Sequence, residues 1–181
     1  MEKTPSAELI ALLQTIEQRS QQNAAGIPKQ EQSQNFWEGV LCQVAGVDVV
    51  APLNEVKEIL NFAPTITIVP GAKEWLLGIA NIRGNLLPII DLQRFLGGSP
   101  VVKGRRTRVL VINHAGVFAG LLVEKVQGMR HFAEDMVVEA PDLQGAIRDY
   151  IDGGCMVDGE IWPVFRMNRL AASAGFQMAA A

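Results

Sequence analysis

The sequence is poor in the residues that enzymes and metal sites use most, because its 181 residues include only two histidines and two cysteines. His114 lies in a predicted hairpin loop and His131 near a strand end, and neither has metal-ligand spacing to another ligand, so we expect no zinc site. Cys42 and Cys155 lie in apolar patterns that predict buried free thiols rather than a disulfide. A Cys–His dyad stays open, although no sequence feature marks either thiol as activated. We therefore expect no enzyme and no cofactor.

Charged residues are also scarce, at 19% of the chain, and 16 basic against 19 acidic residues give a formal net charge of −3. A net acidic chain repels phosphates, so we do not expect general nucleic-acid binding. The glycine pairs of the chain lack the lysine and long helix of a phosphate-binding loop. The uncharged stretch 109–123 contains a turn signal and is too short to span a membrane. Since the first residues also lack the pattern of a secretory signal, we expect a cytoplasmic protein.

Residues 1–35 are predicted to form an N-terminal helix followed by a linker. Ser6 is a suitable N-cap, and residues 21–35 are polar and glutamine-rich around a glycine and a proline. The apolar residues of the helix recur at helical spacing: Leu9, Ile10, Leu12, Leu13 and Ile16. The simplest interpretation is that this apolar stripe docks on the main body, and a partner-binding helix is the alternative.

From Phe36 onward the pattern is mainly β with short helices. Apolar, β-branched runs flank four predicted hairpin turns, which are Ala45-Gly46, Gly84-Asn85, residues 113–116 and Asp158-Gly159. A short helix is expected to begin at the N-cap Asp91 and to end at Gly97-Gly98. A second is expected from about Arg166 to Ala172.

An internal repeat indicates how these strands are organised. The Ala45–Val47 hairpin aligns with Ala115–Val117 at an offset of 70 residues, and a Gly84–Ile90 segment aligns with Gly159–Phe165 at an offset of 75. A duplication predicts two similar lobes, each closed into a small barrel so that strand edges are hidden. We place the domain at 36–172, with lobe 1 at about 36–100, lobe 2 at about 105–165, a closing C-terminal helix, and a tail at 173–181.

Two groups of charged residues are candidates for partner contacts. Arg83 follows an apolar strand and adjoins a tight turn, where a planar guanidinium held by a carboxylate would suit a fixed contact, and Glu58 is the candidate carboxylate. An exposed arginine at a strand end is the alternative. The second group is the basic cluster Lys103, Arg105, Arg106 and Arg108, interpreted as a solvated loop or as an electrostatic contact to an acidic partner.

The stretch 77–92, LGIANIRGNLLPIIDL, resembles the signature of the CheW-type coupling family, and Val56-Lys57-Glu58-Ile59 resembles a second family segment. The resemblance covers about residues 36–172. It implies a CheW-like fold of two SH3-like, five-stranded β-barrel subdomains with a groove between them. It also implies a non-catalytic adaptor that joins a methyl-accepting chemoreceptor tip to the regulatory domain of a CheA-type histidine kinase. The receptor-contact positions it implies are Val56, Glu58, Gly78 and Arg83.

Within this family, the N-terminal extension is similar to that of the CheW-like proteins that serve type IV pili and twitching motility. The similarity rests on the leucine-rich helix, on residues 24–28, and on Trp37 just before the first strand. The chain is therefore expected in receptor arrays, where it would be associated with the membrane through its partners. A flagellar chemotaxis coupler is the alternative within the fold, and a small β-barrel ligand-binding protein is the alternative outside this function.

Overall fold

The computed structural model describes residues 36–62 and 65–180, and residues 35–181 form one compact unit. The predicted N-terminal helix and linker lie outside the described residues. The strands are β1 Phe36–Val44, β2 Val47–Pro52, β3 Glu58–Asn61, β4 Ile66–Thr67, β5 Leu76–Ile82, β6 Asn85–Asp91, β7 Arg108–His114, β8 Val117–Val123, β9 Lys125–Ala133, β10 Val137–Val138, β11 Ile151–Val157 and β12 Glu160–Phe165. The α-helices are α1 Leu92–Phe95, α2 Met167–Ala172 and α3 Ala174–Ala180, and 3-10 turns span Leu53–Glu55, Glu134–Met136 and Ala146–Tyr150.

Four tight turns join the hairpins, and all four have the same backbone geometry. In each, a non-glycine residue with φ near +50° precedes a glycine with φ between +79° and +90°. The turns are Ala45-Gly46, Arg83-Gly84, Ala115-Gly116 and Asp158-Gly159. Two consecutive positive φ angles match the right-handed twist of the paired strands, which is why glycine occupies the second position. The predicted turn at Gly84-Asn85 is therefore wrong by one residue, because Asn85 already belongs to β6.

The strands form two six-stranded sheets, which confirms the predicted mainly β fold. Sheet 1 has the order β10-β11-β12-β2-β1-β9, and sheet 2 has the order β3-β7-β8-β6-β5-β4. Neighbouring strands are antiparallel except for one parallel pair in each sheet, β12 with β2 and β6 with β8. The two-residue strands β4 and β10 bring each sheet to six strands, where five were expected.

The boundaries predicted for the two lobes are wrong. Sheet 2 is built from β3 to β8, and sheet 1 combines the first hairpin with β9 to β12. Strands β1 to β6 of the first repeat correspond to strands β7 to β12 of the second. When every strand is exchanged for its counterpart, the order of sheet 1 becomes the order of sheet 2 read in reverse. Each repeat therefore contributes its leading hairpin to the sheet of the other repeat. Apolar alternation specifies that a hairpin forms but not which neighbour its outer strand pairs with, so the sequence repeat was mistaken for the spatial lobe.

Three groups of buried side chains hold this arrangement together. Ala80, Leu87 and Val109 belong to a cluster whose strand residues all come from sheet 2, and Leu41 and Phe132 belong to one formed within sheet 1. The largest cluster combines residues of both sheets and of the helices. Each sheet is curled, because strands far apart in its order share one cluster. The structure thus has a core inside each curled sheet and a third core between them.

The helices begin where they were predicted, and carboxylates satisfy their first N–H groups. Asp91 caps α1 by accepting from Arg94 N–H at 3.0 Å, and its second oxygen accepts from Val101 N–H at 2.9 Å. At α2 the N-cap is Arg166, whose cationic side chain cannot accept a hydrogen bond. The buried Glu55 supplies the acceptor, with Oε2 2.9 Å from Asn168 N and Oε1 2.8 Å from Arg166 Nε.

The segment 173–181, predicted as a tail, instead contains the helix α3. Its residue Phe176 is fully buried. The Phe176 ring contacts Phe95 edge-on at 5.3 Å between centroids and stacks with Trp75 at 6.3 Å. An aromatic side chain of this size contributes substantially when buried, so α3 belongs to the domain.

Candidate functional site

The structure brings Glu58 and Arg83 together as an ion pair. Arg83 Nη2 lies 2.7 Å from Glu58 Oε1, with 76% of the arginine side chain and 34% of the glutamate side chain exposed. Glu58 begins β3, and Arg83 occupies the turn between β5 and β6. The carboxylate uses one edge of the guanidinium, so the other N–H donors of Arg83 remain available to a partner. The pairing predicted from the sequence is confirmed.

The backbone fixes where the Arg83 side chain begins. Arg83 has φ +51°, a left-handed conformation that costs a non-glycine residue about 1–2 kcal/mol. The turn is held by Asn81, whose Oδ1 accepts a hydrogen bond from Gly84 N–H at 2.9 Å. The other three hairpin turns share this conformation, so it belongs to the turn type. The turn fixes the backbone from which the arginine side chain extends at the end of the hairpin.

The other two predicted contact positions lie inside the protein. Val56 is 8% exposed and belongs to the core between the sheets. Gly78 is buried in β5 with φ +137°, and a Cβ there would lie 2.3 Å from the carbonyl oxygen of Thr67. Both residues therefore support the shape of this region, whereas Glu58 and Arg83 are the two that reach its surface.

Several exposed groups near the ion pair were not singled out in the sequence. Leu86 is 69% exposed and lies opposite Asn81 in the β5–β6 hairpin. Lys57 Nζ lies 5.2 Å from the centre of the Phe118 ring. No local pattern marks Leu86 as exposed, because residues 86–90 are all apolar and Ile90, with the same strand parity as Leu86, is fully buried. The surface is thus a charged pair with an exposed leucine and a cation beside it.

A cavity of about 200 Å³ lies on the same hairpin. It is lined by Leu60, Asn61, Asn81, Ile82, Ile89 and Val109. A second cavity, of about 840 Å³, shares no lining residue with the first. It is lined by residues in and around sheet 1, among them Trp37, His131 and Arg166. In the larger cavity, His131 Nε2 lies 2.8 Å from Glu38 Oε1. The small cavity can accept one apolar side chain beside the ion pair.

The two cysteine thiols and the basic cluster are the remaining candidates for reactivity or binding, and their surroundings do not activate them. Burial raises the pKa of the Cys42 thiol to about 12 and that of Cys155 to about 11. Both thiols are therefore protonated at neutral pH and are poor nucleophiles. The basic cluster contributes to its own loop, since Arg108 Nη1 donates to two loop carbonyls at 2.8 Å and Lys103 Nζ lies 5.2 Å from the Phe62 ring centre.

Two comparisons identify the class of protein. The CheW-like domain family matches residues 38–175, and the chain belongs to this family. Its fold is similar to that of the scaffolding protein TtCheW from Thermoanaerobacter tengcongensis, with a TM-score of 0.66 at 23% identity over 78% of this chain and 96% of that one. The protein is thus a CheW-like protein. Among its described residues, no helix is both long and apolar enough to cross a membrane.

Comparison with individual relatives points to one branch of the family. The chain is 44% identical to the protein PilI of Pseudomonas aeruginosa over 168 residues, covering 91% of this chain and 92% of PilI. It is 30% identical to a probable chemotaxis protein CheW of Rhizobium etli, over 57% of this chain and 66% of the relative. It is 27% identical to the protein FrzA of Myxococcus xanthus, over 65% of this chain and 72% of FrzA.

Proposed function

We propose that this chain is the adaptor that couples a methyl-accepting chemoreceptor to a CheA-type histidine kinase in a system controlling type IV pili and twitching motility. The proposal is carried by the extent of the similarity to PilI. Residues 38–181 make up about four-fifths of the chain, so a match covering 91% of it must include part of the N-terminal extension. The CheW relative from Rhizobium etli covers 57% of the chain. The extension therefore favours the pilus branch over a flagellar coupler.

The receptor contact is assigned to the surface around Glu58 and Arg83. This surface combines a rigid, exposed guanidinium, a half-buried carboxylate that orients it, an exposed leucine and a small apolar cavity. A receptor segment would place a hydrogen-bond acceptor on Arg83 and an apolar side chain at Leu86 or in the cavity. Val56 and Gly78 would act by maintaining the backbone beneath it. An interface of this kind is small, and assembly into arrays would strengthen it.

Signalling through such an adaptor requires more than simultaneous binding. The receptor must bind with different free energies to the kinase-on and kinase-off arrangements of the complex, because only differential affinity shifts an equilibrium. A rigid scaffold with separate contact surfaces suits this role, since a displacement at one surface is passed to the other with little loss in between.

Removal of the Arg83 side chain tests the receptor assignment. We expect Arg83→Ala to reduce capture by the receptor tip about tenfold or more, because a charge-assisted hydrogen bond contributes about 1.5–3 kcal/mol. Its unfolding transition should match that of the parent. Pull-down against pilus-system and flagellar receptor tips, and against the kinase regulatory domain, measures both partners and separates the two branches.

Arg169→Ala is the matched control, because Arg169 also forms an exposed ion pair, with Asp152 at 2.9 Å. It should retain receptor capture. If Arg83→Ala couples normally while Glu58→Ala does not, the idea that Glu58 acts by orienting Arg83 is wrong. Capture by the flagellar receptor alone would overturn the pilus assignment.

A further inference from the structure

The exchange of hairpins gives the Glu58–Arg83 pair a counterpart in sheet 1. Arg83 occupies the turn between β5 and β6, and Asp158 occupies the same position in the turn between their counterparts β11 and β12, with φ +50°. Glu58 lies on β3, and Arg130 lies on its counterpart β9. Arg130 and Asp158 form an ion pair at 2.7 Å. A residue of this turn and a residue of the corresponding edge strand thus form a charged pair in both sheets, although Arg130 lies two positions beyond Gly128, the residue whose register matches that of Glu58.

The sign of the charges is reversed between the two pairs. Sheet 2 has its anion on the strand and its cation on the turn, whereas sheet 1 has the cation on the strand and the anion on the turn. Exposure is conserved, since the turn side chains are 76% and 73% exposed and the strand side chains 34% and 45%. The hydrogen bond from Arg130 lowers the pKa of the Asp158 carboxyl below its ordinary value, so the pair stays charged at neutral pH.

The surface beside the second pair is more apolar than the first. Met156 and Ile161 lie opposite each other on the outer face of the β11–β12 hairpin and are 46% and 44% exposed. Their counterparts in the first hairpin are the polar Asn81 and the apolar Leu86. Val138 of the neighbouring β10 pairs with Gly154 and extends the apolar surface. Exposed apolar side chains that adjoin one another in this way mark an interaction site.

We propose that the outer face of β10–β12, with Asp158 at its tip, is a second protein-docking surface for a segment that presents an apolar side chain flanked by a basic one. Each carboxylate oxygen of Asp158 accepts one hydrogen bond from Arg130, which leaves further lone pairs for a cation of the partner. The reversed charges repel the segment that the Glu58–Arg83 surface attracts. Charge reversal therefore gives the duplicated scaffold two surfaces of different specificity.

Two synthetic amphipathic peptides test this proposal on the full chain. They share a leucine stripe and differ only in whether lysine or glutamate flanks it. Titration followed by amide NMR should show the lysine peptide shifting residues 156–161, and the glutamate peptide shifting residues 83–86. Asp158→Asn should weaken binding of the lysine peptide by up to about fivefold, the upper end of what an exposed ion pair contributes. Met156→Glu should weaken it further.

The double variant Arg130→Asp with Asp158→Arg keeps the pair and reverses its polarity, so it should switch the β11–β12 hairpin to the glutamate peptide. Leu86→Asp is the control on the other hairpin and should leave lysine-peptide binding unchanged. Equal binding of both peptides at 156–161, or none there, would overturn the proposal. Concentration-dependent shifts at 156–161 without peptide would overturn it in favour of a second copy of the chain. None of these outcomes depends on the receptor assay, so the proposed function is tested separately.

Discussion

Arg83 combines a proposed contact position with a conformation that a non-glycine residue adopts at a cost. Its φ is +51°, and Glu58 restrains its guanidinium through an ion pair at 2.7 Å. An arginine on a flexible loop would lose more conformational entropy on binding, because its side chain would have to be ordered at that moment. The strain and the ion pair together therefore prepare the side chain for a partner.

Gly78 lies in the backbone beneath this site, and its substitution by alanine tests how tightly that backbone is packed. Gly78→Ala should destabilise the domain more than Gly46→Ala does, by about 1–3 kcal/mol, because only the first variant adds a steric clash to the backbone cost. A Cβ at Gly78 would meet the Thr67 carbonyl, whereas one at Gly46, which also has positive φ, meets no atom within 4 Å. Urea unfolding of both variants measures the difference. Equal losses would show that β4 moves away freely.

At the scale of elements, the same type of turn closes four hairpins, and the residue at its first position differs in what it contacts. Ala45 packs partly against the main core, whereas Ala115 is exposed. Asparagine is favoured there, since it tolerates positive φ. Arg83 and Asp158 occupy the same position but form ion pairs. The comparison separates residues kept for structure from residues kept for contacts.

Asparagine substitutions test this distinction. Ala115→Asn should stabilise the domain by about 0.5–1 kcal/mol, because the strain is relieved at an exposed position. Arg83→Asn gains the same relief but loses an exposed ion pair worth about 0–1 kcal/mol, so its net stability should hardly change while receptor capture falls. Urea unfolding and pull-down of both variants give the two readouts. A large loss of stability in Arg83→Asn would instead assign the arginine a structural role.

At the scale of the whole molecule, exchanged hairpins make the two sheets depend on each other. The outer strand of the first hairpin, β2, pairs in parallel with β12, and β6 pairs in parallel with β8 of the second repeat. The core between the sheets draws residues from both repeats. A rigid coupling between the two curled sheets follows, which is what an adaptor with contacts on both needs.

The exchange predicts how fragments behave. A fragment of residues 36–100, the first lobe expected from the sequence, should not fold cooperatively, because the parallel partners of β2 and β6 are both missing from it. A chain of residues 36–181 should fold. Urea titration followed by circular dichroism compares the two. A cooperative transition in the shorter fragment would mean that the repeat can fold by itself.

Deletion of residues 1–30 should preserve the cooperative unfolding of both sheets. Among residues 36–62 and 65–180, the buried residues of the three core clusters extend from Val40 to Phe176. Thermal unfolding of the shortened chain beside the full chain measures this. Loss of the cooperative transition would show that the N-terminal segment is part of the core.

Much of the fold could be read from local chemistry. Alternating apolar residues and glycine turns indicated the hairpins, Asp91 marked the start of α1, and the matching segments indicated two similar sheets. The Glu58–Arg83 pair was also predicted, because Glu58 follows Val56 near the end of the preceding strand–helix unit and Arg83 ends a strand beside a tight turn. The exposed Leu86 was missed, because residues 86–90 are all apolar and show no alternation.

The sequence by itself determined the strands, the turns and the family signature, because these depend on side-chain periodicity and backbone preference within a few residues. Only the tertiary structure decided that each leading hairpin joins the opposite sheet, that Phe176 enters the core, and that Arg130 meets Asp158. These contacts join residues far apart in the chain. They are selected by which buried surfaces fit together, and no local pattern records that choice.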